Sequence, residues 1–414
     1  MGAQICIFED EKYRNFLPLT FVRPVYDLRC GIFTIREKIQ KYYSVDKVIL
    51  HTRKYLENLL KEENKGYDVN KYDADKILFL NGRLLPSSEI MQQINLEGKD
   101  EIFVSNGQIT AAVLSKHLIQ ELLNNSKDDI LSFEKLDFTR TEIDAYLFEY
   151  PWHLIQKNDK EIKNDINLIK PSRTGEKFDG VHLLNKKDIF IAENVVIKPN
   201  VTLDASDGPI YIDKGAKILS NTYIAGPVYI GEKTFVKANT QIYHGTSIGP
   251  VCKVGGEIEN SIIHSYSNKQ HEGFLGHAYL GSWVNIGASS NNSDLKNDYG
   301  NIKVIIDGAE VNTESQFFGL IMGDHSKCAI NTMFNTGTVV GISSNIFGSG
   351  FPPKYIPSFS WGGGESMTEY NLRKAIEVAK TVKSRRNISM TTADLEVFKK
   401  VFELTQTERD KLNK

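Results

Sequence analysis

Between Ile212 and Val254 an aliphatic residue returns at every sixth position: Ile212, Ile218, Ile224, Ile230, Val236, Ile242, Ile248 and Val254. Ile191, Ile197 and Leu203 show the same step upstream, and Leu280 and Ile286 resume it downstream. A helix repeats at about 3.6 residues and a strand at 2, so neither sustains a period of six. A parallel β-helix does, because each coil has three short faces and one small or branched residue per face points inward. Gly, Asn and Asp gather between the aliphatic positions, as tight corners require. The spacing predicts a left-handed parallel β-helix of hexapeptide repeats over 189–360. Residues 256–279 and 288–320 lose the period and are expected to be loops on one face, where solenoids often carry their working surface.

The flanks are of another kind. "AQICIFED" and "KILFLNG" are short apolar runs ending in polar residues or Gly, as buried strands do. Between them "GIFTIREKIQKYYS" has helical spacing, with Ile32, Ile35 and Ile39 on one face. Strands alternating with helices predict an α/β domain over 1–165. The lysine- and aspartate-rich "QKNDKEIKNDINLIKPSRTGEKFDG" reads as a connecting segment, with the linker placed at 166–188. Residues 361–414 are expected to be a helical extension: Leu372, Ile376, Ala379 and Val382 form one stripe, and "TTADLEVF" opens a second helix with a Thr/Asp cap. Arg385 and Arg386, after the first of these helices, are suited to phosphate but read as part of a solvated charged face.

Composition excludes several classes of function. The chain is 414 residues long, enough for two or three domains, with a formal net charge of −2. Near-neutrality gives no electrostatic basis for binding nucleic acid or an anionic membrane. No apolar run is long enough to span a bilayer, and "MGAQICIFEDEKYRNF" turns charged too early for a secretory signal. Cys6, Cys30, Cys252 and Cys328 lie far apart, without the spacing of a disulfide framework or a zinc site. The expected location is the cytoplasm.

Where the period restarts, "GFLGHAYLGSWVNIGASSNN" places His277 among small and apolar residues. Tyr279, Asn285, Asn291, Asn292, Asn297, Tyr299 and Lys303 follow closely. A neutral imidazole is suited to taking a proton near pH 7, and Gly/Asn-rich backbone can donate to an oxyanion. A second histidine, His325 in the tight Gly-Asp-His-Ser turn, is a rival base.

The segment "GHAYLGSWVNIGASSNNSDLKNDYGNIK" resembles the acetyltransferase half of the bifunctional glucosamine-1-phosphate acetyltransferase/N-acetylglucosamine-1-phosphate uridylyltransferase family. The resemblance implies that His277 is the general base, that Tyr279 and Lys303 hold a sugar phosphate, and that Asn297 and Tyr299 lie beside the acetyl-CoA thioester. Asn285 and Asn291 join the same expected acyl-CoA and sugar site. One residue separates His277 from Tyr279 where the family has two, and the loop reads Asn-Asp-Tyr-Gly rather than Asn-Tyr-Asp-Gly.

The family begins with a nucleotidyltransferase domain, a Rossmann-like mixed sheet. Arg14, Pro18, Leu19, Thr20, Arg23 and Pro24 are similar to the second half of its opening motif, and the opening "PLTFVRPV" is similar to that of a divergent branch of sugar nucleotidyltransferases. The Gly-rich half is replaced by "FEDEKYRN", which has three acidic residues and no glycine. Arg83 stands where the family has a magnesium-binding Asp, leaving Asp10 as the nearest carboxylate, so the metal ligands are unknown. Any nucleotide is expected to depend on Arg14, Thr20, Arg23, Arg29 and Arg83, unless Arg23 and Arg29 merely pair with Asp10 and Asp27.

Together these readings predict a sugar-phosphate nucleotidyltransferase/acyltransferase. It would use acetyl-CoA, a nucleoside triphosphate or nucleotide sugar and possible Mg²⁺, and act as a homotrimer. The alternatives are an acyltransferase with a merely nucleotide-binding first domain, and a non-catalytic trimeric scaffold.

Overall fold

The computed structural model describes residues 4–412 except 95, 97, 127, 128 and 172–177. The first domain is built on a six-stranded mixed sheet. Its order is Ile49–Leu50, Gln4–Phe8, Lys76–Asn81, Gln108–Ser115, Glu101–Ser105 and Arg140–Glu142. Gln4–Phe8 pairs in parallel with both neighbours, whereas Gln108–Ser115 runs antiparallel to both of its own. Alternation along the first strand serves two cores: Ile5 and Ile7 face one side, Cys6 and Phe8 the other. The covering helices are α1 (Ile35–Tyr42), α2 (Glu57–Glu63), α3 (Ser88–Gln93) and α4 (Lys116–Asn125). Ile32 precedes α1, in the short hairpin that leads into it.

From His182 onward the chain winds into a parallel β-solenoid of three faces and about ten turns, consistent with a left-handed β-helix. Ile212, Ile230 and Ile248 stand in register, one 18-residue coil apart, and all are fully buried. The three faces follow one another along the chain, as at Ile189–Ile191, Val196–Ile197 and Thr202–Asp204, the last of these faces having opened at His182–Leu184. They are called the first, second and third face below. Corners between faces use left-handed backbone, at Asn221 and Asn239 for example, where Asn tolerates positive φ.

Residues 256–279 are not a loop. They form strands Glu257–Glu259, Ile262–Ile263, Asn268–Lys269 and Phe274–Gly276, within coils shortened to fifteen and seventeen residues. The period was hidden for two reasons. Corners tighten at Gly256 and Asn260, and the inward position aligned with Val254 is held by Lys269. That ammonium is buried and donates to the carbonyls of Gly255, His271 and Gly273 at 2.9, 2.8 and 2.6 Å. Within 288–320, Asn291–Asn292 is still a coil strand and Leu320 opens the next one, so the true insertion lies between them, and Leu280 pairs next with Met322. It carries an antiparallel hairpin, Lys303–Ile306 with Ala309–Asn312.

The segment read as a connector is largely a helix, α5 (Pro151–Ile169). Its polar residues looked solvated in sequence but lie in the seam between the domains. Asn158 accepts from Gly31 N–H at 2.6 Å and donates to Gly245 C=O at 2.7 Å. Buried Glu161 and Asp165 both bind Lys38. Burial opposes that ammonium's charge, yet the two carboxylates more than offset it and hold its pKa above the usual lysine value. The end of the connector, residues 172–177, lies outside the described residues.

The outward residues of the first face are apolar where they meet the first domain: Ile262, Tyr279, Ile321 and Val339 join its core. Helices α6 (Leu372–Ser384) and α7 (Thr392–Leu404) close the assembly. The expected cap is a capping box between Thr391 and Asp394. Among the described residues no helix is long and apolar enough to cross a membrane.

Candidate functional site

His277 occupies a corner between the third and first faces, in left-handed backbone at φ 45°. Gly276 before it is clamped by inward-pointing Asn292, which accepts from its N–H at 3.0 Å and donates to its C=O at 2.9 Å. From the start of the insertion comes Asp294, whose Oδ2 lies 2.7 Å from His277 Nδ1. Phe317, bridged to Leu295 at the other end of the insertion, stacks on the imidazole with centroids 5.1 Å apart. The His277 and Asp294 side chains are 20% and 16% exposed, enclosed but reachable.

This arrangement fixes the tautomer. A carboxylate at Nδ1 holds the proton there and leaves the Nε2 lone pair available as a base. Nε2 has no protein partner among the described residues. Asp294 carries no signal in the sequence, because it sits where the six-residue period is lost and matches no residue of the resemblance.

The other expected residues are scattered. Asn291 stays near the pair, its Oδ1 accepting from Phe274 N–H at 2.8 Å. Asn297 and Tyr299 lie exposed in the insertion, and Lys303 on its hairpin is ion-paired with Glu310 at 2.8 Å. Tyr279 points outward from the first face into the first domain. It is fully buried, and its hydroxyl accepts from Arg29 N–H at 2.8 Å. Asn285 lies on the second face, beside the end of α6.

His325 sits at another corner, stacked on Trp283 at 5.8 Å and edge-on to Phe398 of α7 at 5.2 Å. It is buried, its Nδ1 has no partner among the described residues, and burial pushes its pKa well below the usual histidine value. An imidazole with so little affinity for a proton is a poor base.

The expected nucleotide residues do not converge. Arg23 reaches across the domain boundary to Asp324, with one nitrogen 2.9 Å from Oδ1 and a second bond to Oδ2, and it also donates to Ser282 Oγ at 3.2 Å. Arg29 is buried against Tyr229 and donates to Ile32 C=O. Arg83 is fully buried, bound to Asp10, Phe148 C=O and Gln108. Thr20 is buried and donates to Tyr13 C=O at 2.9 Å, while Arg14 is exposed and 3.7 Å from Asp307 of the hairpin. Neither Arg23 nor Arg29 pairs with Asp10 or Asp27; Asp10 takes Arg83 and Asp27 takes Arg36.

In place of a Gly-rich loop stands a 3-10 helix, Glu11–Phe16, capped by Asp10. Glu9 is buried, binding Arg53, Thr52 and Val25 N–H. Among the described residues no group of three or more His, Cys, Asp or Glu could hold a metal ion. Asp10, the carboxylate nearest the strand ends, is already bonded to Arg83 and Asn81. These residues do not fit a magnesium ion.

Residues 5–174 match the sugar nucleotidyl transferase family. A bifunctional sugar-1-phosphate nucleotidylyltransferase/acetyltransferase of Sulfurisphaera tokodaii is 28% identical over 199 residues, 48% of this chain and 43% of that protein. The bifunctional protein GlmU of Wigglesworthia glossinidia brevipalpis is 25% identical, covering 74% of this chain and 62% of its own. That of Bartonella quintana is 23% identical, covering 73% and 66%. The chain therefore spans between 43% and 66% of the length of these relatives. A solved UDP-N-acetylglucosamine acyltransferase overlaps 51% of this chain and 81% of that one, at 12% identity and a TM-score of 0.21. Residues 5–174 thus match the sugar nucleotidyl transferase family model, and the chain is similar, at low identity, to GlmU-type bifunctional nucleotidylyltransferase/acetyltransferases.

Proposed function

We propose that the chain is a cytoplasmic sugar-phosphate nucleotidyltransferase/acyltransferase and that the His277–Asp294 pair carries its acyl transfer. The observation that supports this most is the 2.7 Å contact between Nδ1 and the carboxylate, at a coil corner enclosed by Phe317. The substrates are acetyl-CoA and an amino-sugar phosphate. As the sugar amine attacks the thioester carbon, its proton passes to Nε2 and the C–N bond forms. Collapse of the tetrahedral oxyanion breaks the C–S bond, and the imidazolium returns the proton to the departing thiolate. Asp294 stabilises the charged imidazolium between the two steps. Asn297, Tyr299 and Lys303 lie on the insertion and Asn291 on the coil strand just before it, and all four are proposed to hold the two substrates; Tyr279 and Asn285 take no part.

The working form is proposed to be a homotrimer, and the half-exposed Phe317 and Met333 near the site fit burial by a second copy. Purified protein incubated with acetyl-CoA and glucosamine-1-phosphate should release free thiol only when both are present. No thiol release with any amino-sugar phosphate tried would remove this reading.

One observation favours a narrower version, in which the first domain binds a nucleotide or nucleotide sugar without turning it over: Arg23, Arg29 and Arg83 are all committed to protein partners. Pyrophosphate release from sugar-1-phosphates with each nucleoside triphosphate separates the two.

A further inference from the structure

On the second face, away from the His277 corner, a cavity of about 300 Å³ opens between the solenoid and the end of α6. Lys253 and the amides of Asn268, Gln270 and Asn285 form its floor, Arg385 and Arg386 one rim, and Tyr266 with Trp283 a wall. The two rings stack at 4.3 Å and 7°, each from a corner residue in left-handed backbone. Lys253, Asn268 and Asn285 are successive outward positions on one ladder, so coil geometry lines them up.

The charge here is one-sided. No carboxylate lines the cavity, and among the described residues neither Lys253, Arg385 nor Arg386 makes an ion pair. Arg23, Arg36, Lys38 and Lys383 are ion-paired with carboxylates, and buried Lys269 is bonded to three carbonyls, whereas the cations here have neither arrangement. The pKa of the Lys253 ammonium is lowered by burial and then by Arg386, Lys237 and Arg385, so like charges crowd one another. Arg386 has only a 3.4 Å contact with Asn268 Oδ1. Holding cations together without counter-charge raises the energy of the empty site, and an anion would relieve it. Guanidinium groups match phosphate oxygens in geometry as well as charge.

We propose that this seam binds the diphosphate of a nucleotide, with Arg385, Arg386 and Lys253 on the phosphates and the amide ladder on the polar remainder. Nucleoside diphosphates and coenzyme A both carry that group. The site is separate from the acyl-transfer corner, so His277→Ala leaves it unchanged.

Calorimetry at low ionic strength on the full chain, with UDP, coenzyme A and inorganic pyrophosphate, tests it. At least one should bind, and both R385Q/R386Q and K253Q should weaken that binding ten-fold or more, because a lost charge-assisted phosphate contact is a large part of such an affinity. Arg385 is exposed and Arg386 only partly buried, so the double variant should keep the wild-type melting temperature. Tight binding of UDP alone identifies a nucleotide, of coenzyme A alone the acyl carrier, and equal binding of pyrophosphate limits recognition to the diphosphate. If none of the three binds the wild type, or if both variants bind as tightly as it does, the proposal is overturned.

Discussion

Asp294 Oδ2 lies 2.7 Å from His277 Nδ1, joining a coil corner to a residue seventeen positions later in the chain. The contact leaves one ring nitrogen committed and the other free, so the tautomer and the ring's orientation are set by one carboxylate. His277→Ala should lower acyl transfer by about 10²–10⁴-fold. Asp294→Asn should lower kcat by roughly 10–10³-fold with little change in KM, because it disturbs tautomer and charge rather than substrate contacts. Thiol release under saturating acetyl-CoA measures both. Equal activity of wild type and His277→Ala would remove the base from this corner.

His325→Ala should act differently. The ring is packed between Trp283 and Phe398, so its loss leaves a cavity under α7. Truncating a packed aromatic costs on the order of 3 kcal/mol, and a smaller ring somewhat less. The expected result is a lower midpoint in urea with near-normal kcat, and a kcat loss larger than that of His277→Ala would reverse the assignment of the base.

Arg23 and Asp324 form an interdomain ion pair whose side chains are only 12% and 3% exposed. Removing one partner strands the other charge, at a cost of about 3–5 kcal/mol, whereas removing both with apolar residues is often much milder. Arg23→Leu should therefore destabilise strongly, and Asp324→Leu added to it should restore part of the loss. Denaturation of the two single variants and the double variant reads the coupling directly; additive losses would mean that the pair does not join the domains.

His51 gives the fold an acid sensitivity. Burial pushes its imidazole down to about 4, and its Nε2 has no partner among the described residues. In the unfolded chain the same group titrates near 6.5. Between those values the unfolded chain takes up a proton that the fold refuses, so stability falls as pH falls from about 6.5 to about 4 and this contribution then levels off. At about 1.4 kcal/mol per pH unit the whole effect is at most about 3.5 kcal/mol. Buried His264 and His325 are also held well below the usual histidine value. His51→Gln should therefore lessen the slope over that window by one residue's share rather than abolish it, measured by denaturation at stepped pH, and an unchanged slope would remove His51 from the acid response.

The solenoid was legible because its coils repeat a local rule: one inward aliphatic residue every sixth position needs no partner outside the neighbouring coils. Where the inward position is Lys269 or Asn292 the rule is broken in sequence but kept in space, and a stretch of regular coils read as a loop. The first domain was legible as strands and helices, but its arginines were read as free because their partners are remote. Asp324 lies 301 residues from Arg23, and Tyr279 lies 250 from Arg29. Nothing local in the chain signals such contacts. Helix α5 was misread for the same reason, its charges being satisfied by Lys38 and by the solenoid rather than by water. At the candidate site the histidine was legible and its carboxylate was not.

Gly276 tests that carboxylate's placement without altering either member of the pair. A Cβ at this position would stand 2.4 Å from Asp294 Oδ2 and equally close to the Phe274 ring. Neither approach is tolerable, and the glycine cannot retreat, because Asn292 grips its N–H and C=O from inside the coil. Phe274 is partly exposed and can swing outward, so the lasting displacement should fall on Asp294. Gly276→Ala should then lower kcat by an amount close to that of Asp294→Asn, with acetyl-CoA KM little changed. Combining the two substitutions should cost hardly more than either alone, because residues acting through one contact are not additive. Full additivity would show that the glycine supports the corner by another route and that Asp294 is not held where the 2.7 Å contact requires it.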